Sequence, residues 1–303
     1  MMLAQAQPSA TCSTSAGFQF VVAGGWHSAL AGVLASIVFV AIVFVLTNDP
    51  QAEEHLHERG PSLRVLFVTF FVFLVASFLW ATVAGFPPTA IDTATGRSVP
   101  VAVQSVLAVP AAWLLSVGVA LLFFAVNWLV SAYEGHRNLA SAISTTATRC
   151  FRLIAWLTAV EVWIAVETAT RALAGRGWWY SQTGVTVVTV IAIPFLFADR
   201  IADRFGWRSR PAGEVPRNDP LGRALGVIGV SGTVLVVWFA TVTGQPDATM
   251  FHEGNWCGQG LPPWAAVIAV AVTGLYLASI ATLTLALPRH SHSHSTEGVR
   301  SRR

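Results

Sequence analysis

The chain predicts an all-α, polytopic membrane protein: a bundle of seven transmembrane helices with its N-terminus outside and its C-terminus inside. Three observations carry this. Of its 303 residues 54% are hydrophobic and only 11% charged, which is too apolar for a water-soluble domain. Apolar runs of about 20 residues, the length that crosses a bilayer as a helix, recur along the whole chain. Its 18 basic residues, all arginine, gather on alternate loops.

The expected spans are 28–47, 65–86, 105–130, 153–172, 180–198, 224–244 and 264–287, each bounded by charges, Gly, Pro or Trp. Before them, Met1 to Gly25 contain no basic residue and no separate apolar region, so they do not read as a cleavable signal peptide. The expected organisation is an extracellular segment 1–25, a transmembrane domain 26–288 and a disordered cytoplasmic tail 289–303. The loops are too short to hold a separate core.

Orientation follows from the arginines. Fifteen of the 18 fall between spans one and two, three and four, five and six, or in the tail; only Arg97, Arg171 and Arg176 lie on the other side. The arginine-rich side is inside. Trp26, Trp80, Trp178, Trp179 and Trp264 all fall at outer span ends, where amphipathic indoles settle. The inner loop between spans five and six balances six arginines with four acids, a topology signal and a lipid-headgroup contact without the aromatic interleaving of a nucleic-acid binder.

Composition also excludes chemistry. Without lysine there is no Schiff base to retinal or pyridoxal and no Walker-type phosphate loop. Histidines suited to in-membrane haem ligation are lacking, since His27 stands at the boundary of the first span. Arginine in place of lysine, with abundant Ala and Val, points to a bacterial genome rich in G and C. No cofactor is expected.

The outer end of span two, Ala81-Thr82-Val83-Ala84-Gly85-Phe86-Pro87, matches that of span six, Ala240-Thr241-Val242-Thr243-Gly244-Gln245-Pro246, at five of seven positions. Both run from inside to outside. This pattern admits a 3+1+3 parallel repeat with span four as linker, and it is equally what small residues common in membrane helices produce.

Span four carries the chemistry. Glu161 lies near the middle of the apolar stretch between Arg152 and Arg171, where a carboxylate costs on the order of 2.5 to 3.5 kcal/mol. A helical wheel puts Ile154, Leu157, Thr158, Ala165 and Thr168 on its side and Trp156, Trp163 and Val166 opposite. The small, hydroxylated face is expected to turn inward and the indoles to turn to lipid. With no basic residue inside any other span, Glu161 is expected to be protonated, hydrated or bound to an ion. Two readings stand: a proton- or cation-linked group assisted by Asn127, or neutral helix glue hydrogen-bonded to Asn127, Ser231, Thr273 or Tyr276. Glu167, one turn before Arg171, reads as an interfacial ion pair with it.

Other patterns are weaker. Gly229-Val230-Ser231-Gly232 has the spacing of an intramembrane serine protease but no histidine base within reach, so helix packing explains it. Cys12 and Cys257 share the outer face, which allows a disulfide without fixing the approach of their Cα atoms. His290, His292 and His294 alternate with serines in the tail, a weak metal-binding pattern in a low-complexity segment. Asp247, His252 and Glu253 stand in the last outer loop. Pro110 and Pro194 mark spans three and five for broken backbone hydrogen bonds.

No complete catalytic set emerges, so an enzyme is not expected. The expected protein sits in the plasma membrane as a small secondary transporter or ion pathway with the Glu161 carboxyl coupled to protons or cations. The alternative is a non-transporting accessory or assembly subunit. Its expected partners are the lipid bilayer and a small solute or cation, not nucleic acid, and oligomeric state has no signature in the chain. A carrier requires Glu161 to face water-reachable space, whereas a sealed and fully hydrogen-bonded carboxyl belongs to the accessory reading.

Overall fold

The computed structural model describes residues 20–47, 52–85, 89–91, 98–100, 103–132, 137–174, 181–205, 220–243 and 263–287. These form α1 (Phe20–Thr47), α2 (Ala52–Gly85), β1 (Thr89–Ile91), β2 (Ser98–Pro100), α3 (Val103–Ala132), α4 (Arg137–Ala174), α5 (Ser181–Leu196), α6 (Ala198–Arg204), α7 (Pro220–Thr243) and α8 (Pro263–Leu285). The two strands pair antiparallel as a small ribbon, with Ala90 opposite Val99. The architecture is otherwise helical.

Among the described residues four helices have stretches long and apolar enough to cross a membrane: Val22–Thr47, Ser62–Gly85, Val106–Leu129 and Leu221–Thr241. Shorter apolar stretches occupy Thr186–Leu196 and Val270–Leu285. Such helices are compatible with a membrane protein, by their length and composition and because a helix satisfies its backbone polar groups internally.

Helices α1 to α4 pack each against the next, and α3 is the hub, touching α1, α2, α4, α7 and α8. Two glycines set the close approaches. At Gly24 of α1 a Cβ would stand 3.1 Å from the Trp80 carbonyl oxygen and 3.1 Å from the Ala84 Cβ of α2. At Gly118 of α3 it would stand 2.7 Å from Phe73 Cε1. In lipid, association rests on packing of this kind because the surrounding tails are as apolar as leucine. Trp113, Tyr276, Phe73, Phe124 and Phe151 are the largest fully buried side chains.

Several boundaries differ from expectation for physical reasons. Helix α1 begins at Phe20 and its apolar stretch at Val22, so Gly24 and Gly25 do not end the helix; Gly24 serves its contact with α2. Helix α4 starts at Arg137 rather than 153, because nothing in 137–152 breaks a helix. Helix α5 ends two residues after Pro194, yet backbone hydrogen bonding continues into α6 through Phe197, whose N–H donates to the Ile193 carbonyl at 3.1 Å. Pro110 lies inside α3, which runs through it.

The triplets proposed as repeats pack alike only in part among the described residues. The pairing of α2 with α3 has its counterpart in α7 with α8, and that of α1 with α3 in α5 with α8, but the contact of α1 along the length of α2 has no counterpart of similar extent between α5 and α7. Cys12, Cys257, His290, His292 and His294 lie outside the described residues, as does the Asp247–Glu253 loop, and Cys150 is free and exposed.

Candidate functional site

Helices α3 and α4 run antiparallel, with Ser116 opposite Glu161 and Asn127 opposite Thr148. Ser116 lies near the middle of the Val106–Leu129 stretch of α3, and the Glu161 carboxyl is level with it. The fully buried Ser116 hydroxyl donates to Glu161 Oε2 at 3.3 Å.

The other oxygen has a partner that the sequence did not suggest. His27 Nε2 of α1 stands 3.8 Å from Glu161 Oε1. This corrects the expectation of a carboxyl without a basic neighbour. His27 is the sixth residue of the Val22–Thr47 stretch, about 7.5 Å in from its end at the helical rise per residue. Its ring stacks on Trp80 of α2, with centroids 4.5 Å apart and planes 19° from parallel. Trp80 is therefore buried against His27 rather than anchored at the membrane surface, whereas Trp26 remains exposed. His27 Nδ1 bonds to the Ala23 carbonyl at 2.6 Å, which fixes the ring from behind.

No family model, curated protein or solved structure matches the chain. Its chemistry is argued from the site itself.

Glu161 lies at the edge of the outward face of α4. Leu157 and Ile164, one turn to either side of it, are exposed, while Thr158 and Ala165 on its other flank pack toward the bundle and Trp163 and Val166 opposite are buried. The small, hydroxylated face is thus only half turned inward, and dense packing takes Trp163 inward rather than out to lipid. Glu161 and His27 keep 38% and 29% of their side-chain surface. With Ser116 enclosed behind them, they lie at the mouth of a junction where α1, α3 and α4 converge. The carboxyl is neither sealed nor fully hydrogen-bonded.

Below this pair, toward the start of α4, Thr158 and Tyr276 of α8 share a hydrogen bond, and the Tyr276 hydroxyl also reaches the Ala155 carbonyl at 3.4 Å. Tyr276 is fully buried and lies within electrostatic range of Glu161.

The remaining expected site residues fall elsewhere. Asn127 is fully buried and donates to Thr148 Oγ1 at 3.0 Å, eleven residues along α3 from Ser116. It joins α3 to α4 and is not part of the Glu161 cluster. Ser231 is buried in α7. Glu167 is buried, and its expected partner Arg171 has its side chain outside the described residues. Sequence reading passed over Ser116, an ordinary serine in an apolar helix, and discounted His27 because Gly24-Gly25 resembled a helix boundary. The usable signal was the apolar Phe20-Val21-Val22 just before those glycines.

Proposed function

We propose that the protein is a seven-span plasma-membrane carrier or ion pathway, N-terminus outside, in which Glu161 is the proton- or cation-linked group and His27 its partner. The observation that carries this reading is the Glu161 carboxyl level with the middle of the α3 apolar stretch, 38% exposed and 3.8 Å from a histidine. A carboxyl kept only as glue has no need of that exposure. Keeping a titratable acid in an apolar layer is costly, and the imidazole beside it has a ring nitrogen that can take a proton from it or return one. A small solute would enter and leave with the proton or cation.

The accessory reading is favoured by a different observation, the side-chain bridges Asn127 to Thr148 and Thr158 to Tyr276, which only fasten helices. Reconstitution into liposomes with an internal pH-sensitive dye separates the two. The wild type should carry protons across under an imposed gradient, and Glu161→Gln should cut the flux at least tenfold. Equal flux in both proteins removes Glu161 from the mechanism, and no flux in the wild type gives the accessory reading precedence.

A further inference from the structure

The Glu161 and His27 contact has a polarity that its distances fix. A carbonyl oxygen only accepts hydrogen bonds, so the 2.6 Å contact between His27 Nδ1 and the Ala23 oxygen requires the proton to be on Nδ1. A neutral imidazole carries one N–H, and Nε2 is then a bare lone pair. That lone pair faces Glu161 Oε1 at 3.8 Å, while Oε2 is already engaged by the Ser116 hydroxyl at 3.3 Å. With both groups deprotonated, two acceptors face each other. With both protonated, the pair carries a net positive charge level with an apolar layer.

We infer that Glu161 and His27 form a binding site for a single proton, shared between Oε1 and Nε2, with the Ala23 carbonyl enforcing the tautomer that makes sharing possible. The one-proton pair is neutral overall in either form. When the carboxyl holds it, Oε1–H donates to the Nε2 lone pair; when the O–H bond breaks and an N–H bond forms at Nε2, carboxylate and imidazolium face each other. The gap of 3.8 Å exceeds a direct hydrogen bond, so transfer requires a small side-chain rotation or one bridging water. Trp80 holds the ring plane by stacking, and its face suits the cationic form.

A proton is also the cation that this site can complete. Zinc and calcium take four or more ligands, and no group of three His, Cys, Asp or Glu residues occurs among the described residues. Around the pair stand Trp80 from α2, Ser116 from α3, Thr158 on α4 and Tyr276 from α8; of these only the Tyr276 phenol is a titratable group. Glu167 lies six residues on along α4, and Arg152, nine residues back, is paired with Asp199.

The inference rests on reading Glu161 as proton-linked, but its test reads occupancy and not flux. The full chain is labelled with ¹⁵N-histidine, reconstituted in lipid and studied by solid-state NMR, with His27 identified by signals lost in both His27→Asn and His27→Gln. Infrared spectra follow the protonated carboxyl band that disappears in Glu161→Gln. His27 should appear as the Nδ1–H neutral form or as imidazolium, and never as the neutral Nε2–H form. Removing either partner, in Glu161→Gln or in His27→Asn, should shift the titration of the one that remains, as coupling of the two groups requires. A neutral Nε2–H His27, read on the wild type itself, or independent titration of the two groups overturns the inference. Coupled titration without flux would sink the carrier reading alone, while Glu161-dependent flux with the Nε2–H form would sink the shared proton alone.

Discussion

Arg152 of α4 holds Asp199 of α6 at 2.6 Å, and the Phe197 ring lies 4.7 Å beneath its guanidinium. Helix α6 is only seven residues long, too short to stand without such a tie. The two side chains are 11% and 15% exposed, so the pair is mostly shielded from water. Breaking a buried pair on one side costs about 3–5 kcal/mol because a charge is left alone, and the residual solvent contact lowers this. We expect Asp199→Ala to destabilise the protein by about 2 kcal/mol on that scale, and Asp199→Ala combined with Arg152→Met to be less damaging than Asp199→Ala alone. Unfolding in detergent, followed by circular dichroism, decides it; a single variant within about 0.5 kcal/mol of the wild type, the range of ordinary surface changes, would show that the pair is only a topology signal.

Gly118 is expected to be intolerant of the smallest addition. A Cβ there would stand 2.7 Å from Phe73 Cε1, 2.9 Å from Phe73 Cδ1 and 3.2 Å from Val72 Cγ1. Phe73 is fully buried and its ring has no room to retreat. Gly118→Ala should therefore cost about 1–3 kcal/mol, the usual range for overpacking, and Phe73→Leu should recover part of it. Gly274→Ala is the matched control, because nothing lies within 4 Å of its added carbon. Equal melting behaviour of the two alanine variants would mean that α2 and α3 do not approach as closely as this.

The long apolar helices were legible because their signal is redundant: α2, α3 and α7 contain the expected stretches to within a few residues, and no single residue decides them. The site was legible only in part, because it depends on single residues. Glu161 announced itself by its cost, but its partners did not. Gly24-Gly25 reads as a break, and only the nearness of Ala84 and the Trp80 carbonyl shows that it is a contact. The facing of α4 was misread for a related reason. Small residues permit close approach, but a neighbouring helix must be there to use them, and α8 takes up the Thr158 side of that face through Tyr276 while Leu157 and Ile164 stay exposed. Trp163 went inward instead, a choice that depends on the shape of the whole bundle.

The Thr158 and Tyr276 contact gives a prediction of asymmetry. Thr158 Oγ1 donates to the Ile154 carbonyl of its own helix at 2.8 Å, which leaves its oxygen to accept the Tyr276 O–H. Tyr276→Phe removes a donor from a threonine that stays satisfied, so its cost should be about 0.5–1.5 kcal/mol, the ordinary worth of one hydrogen bond. Thr158→Val instead strands a fully buried phenol, whose remaining acceptor is the Ala155 carbonyl at 3.4 Å. That approaches the penalty for a buried unsatisfied donor, about 1–3 kcal/mol. The double variant should resemble Tyr276→Phe, because removing the phenol O–H removes the orphan. Detergent unfolding of the three variants reads this directly. If Tyr276→Phe proved the costlier single change, Thr158 would have to be the donor and Tyr276 the acceptor, and the hydrogen bonding below Glu161 would run the other way.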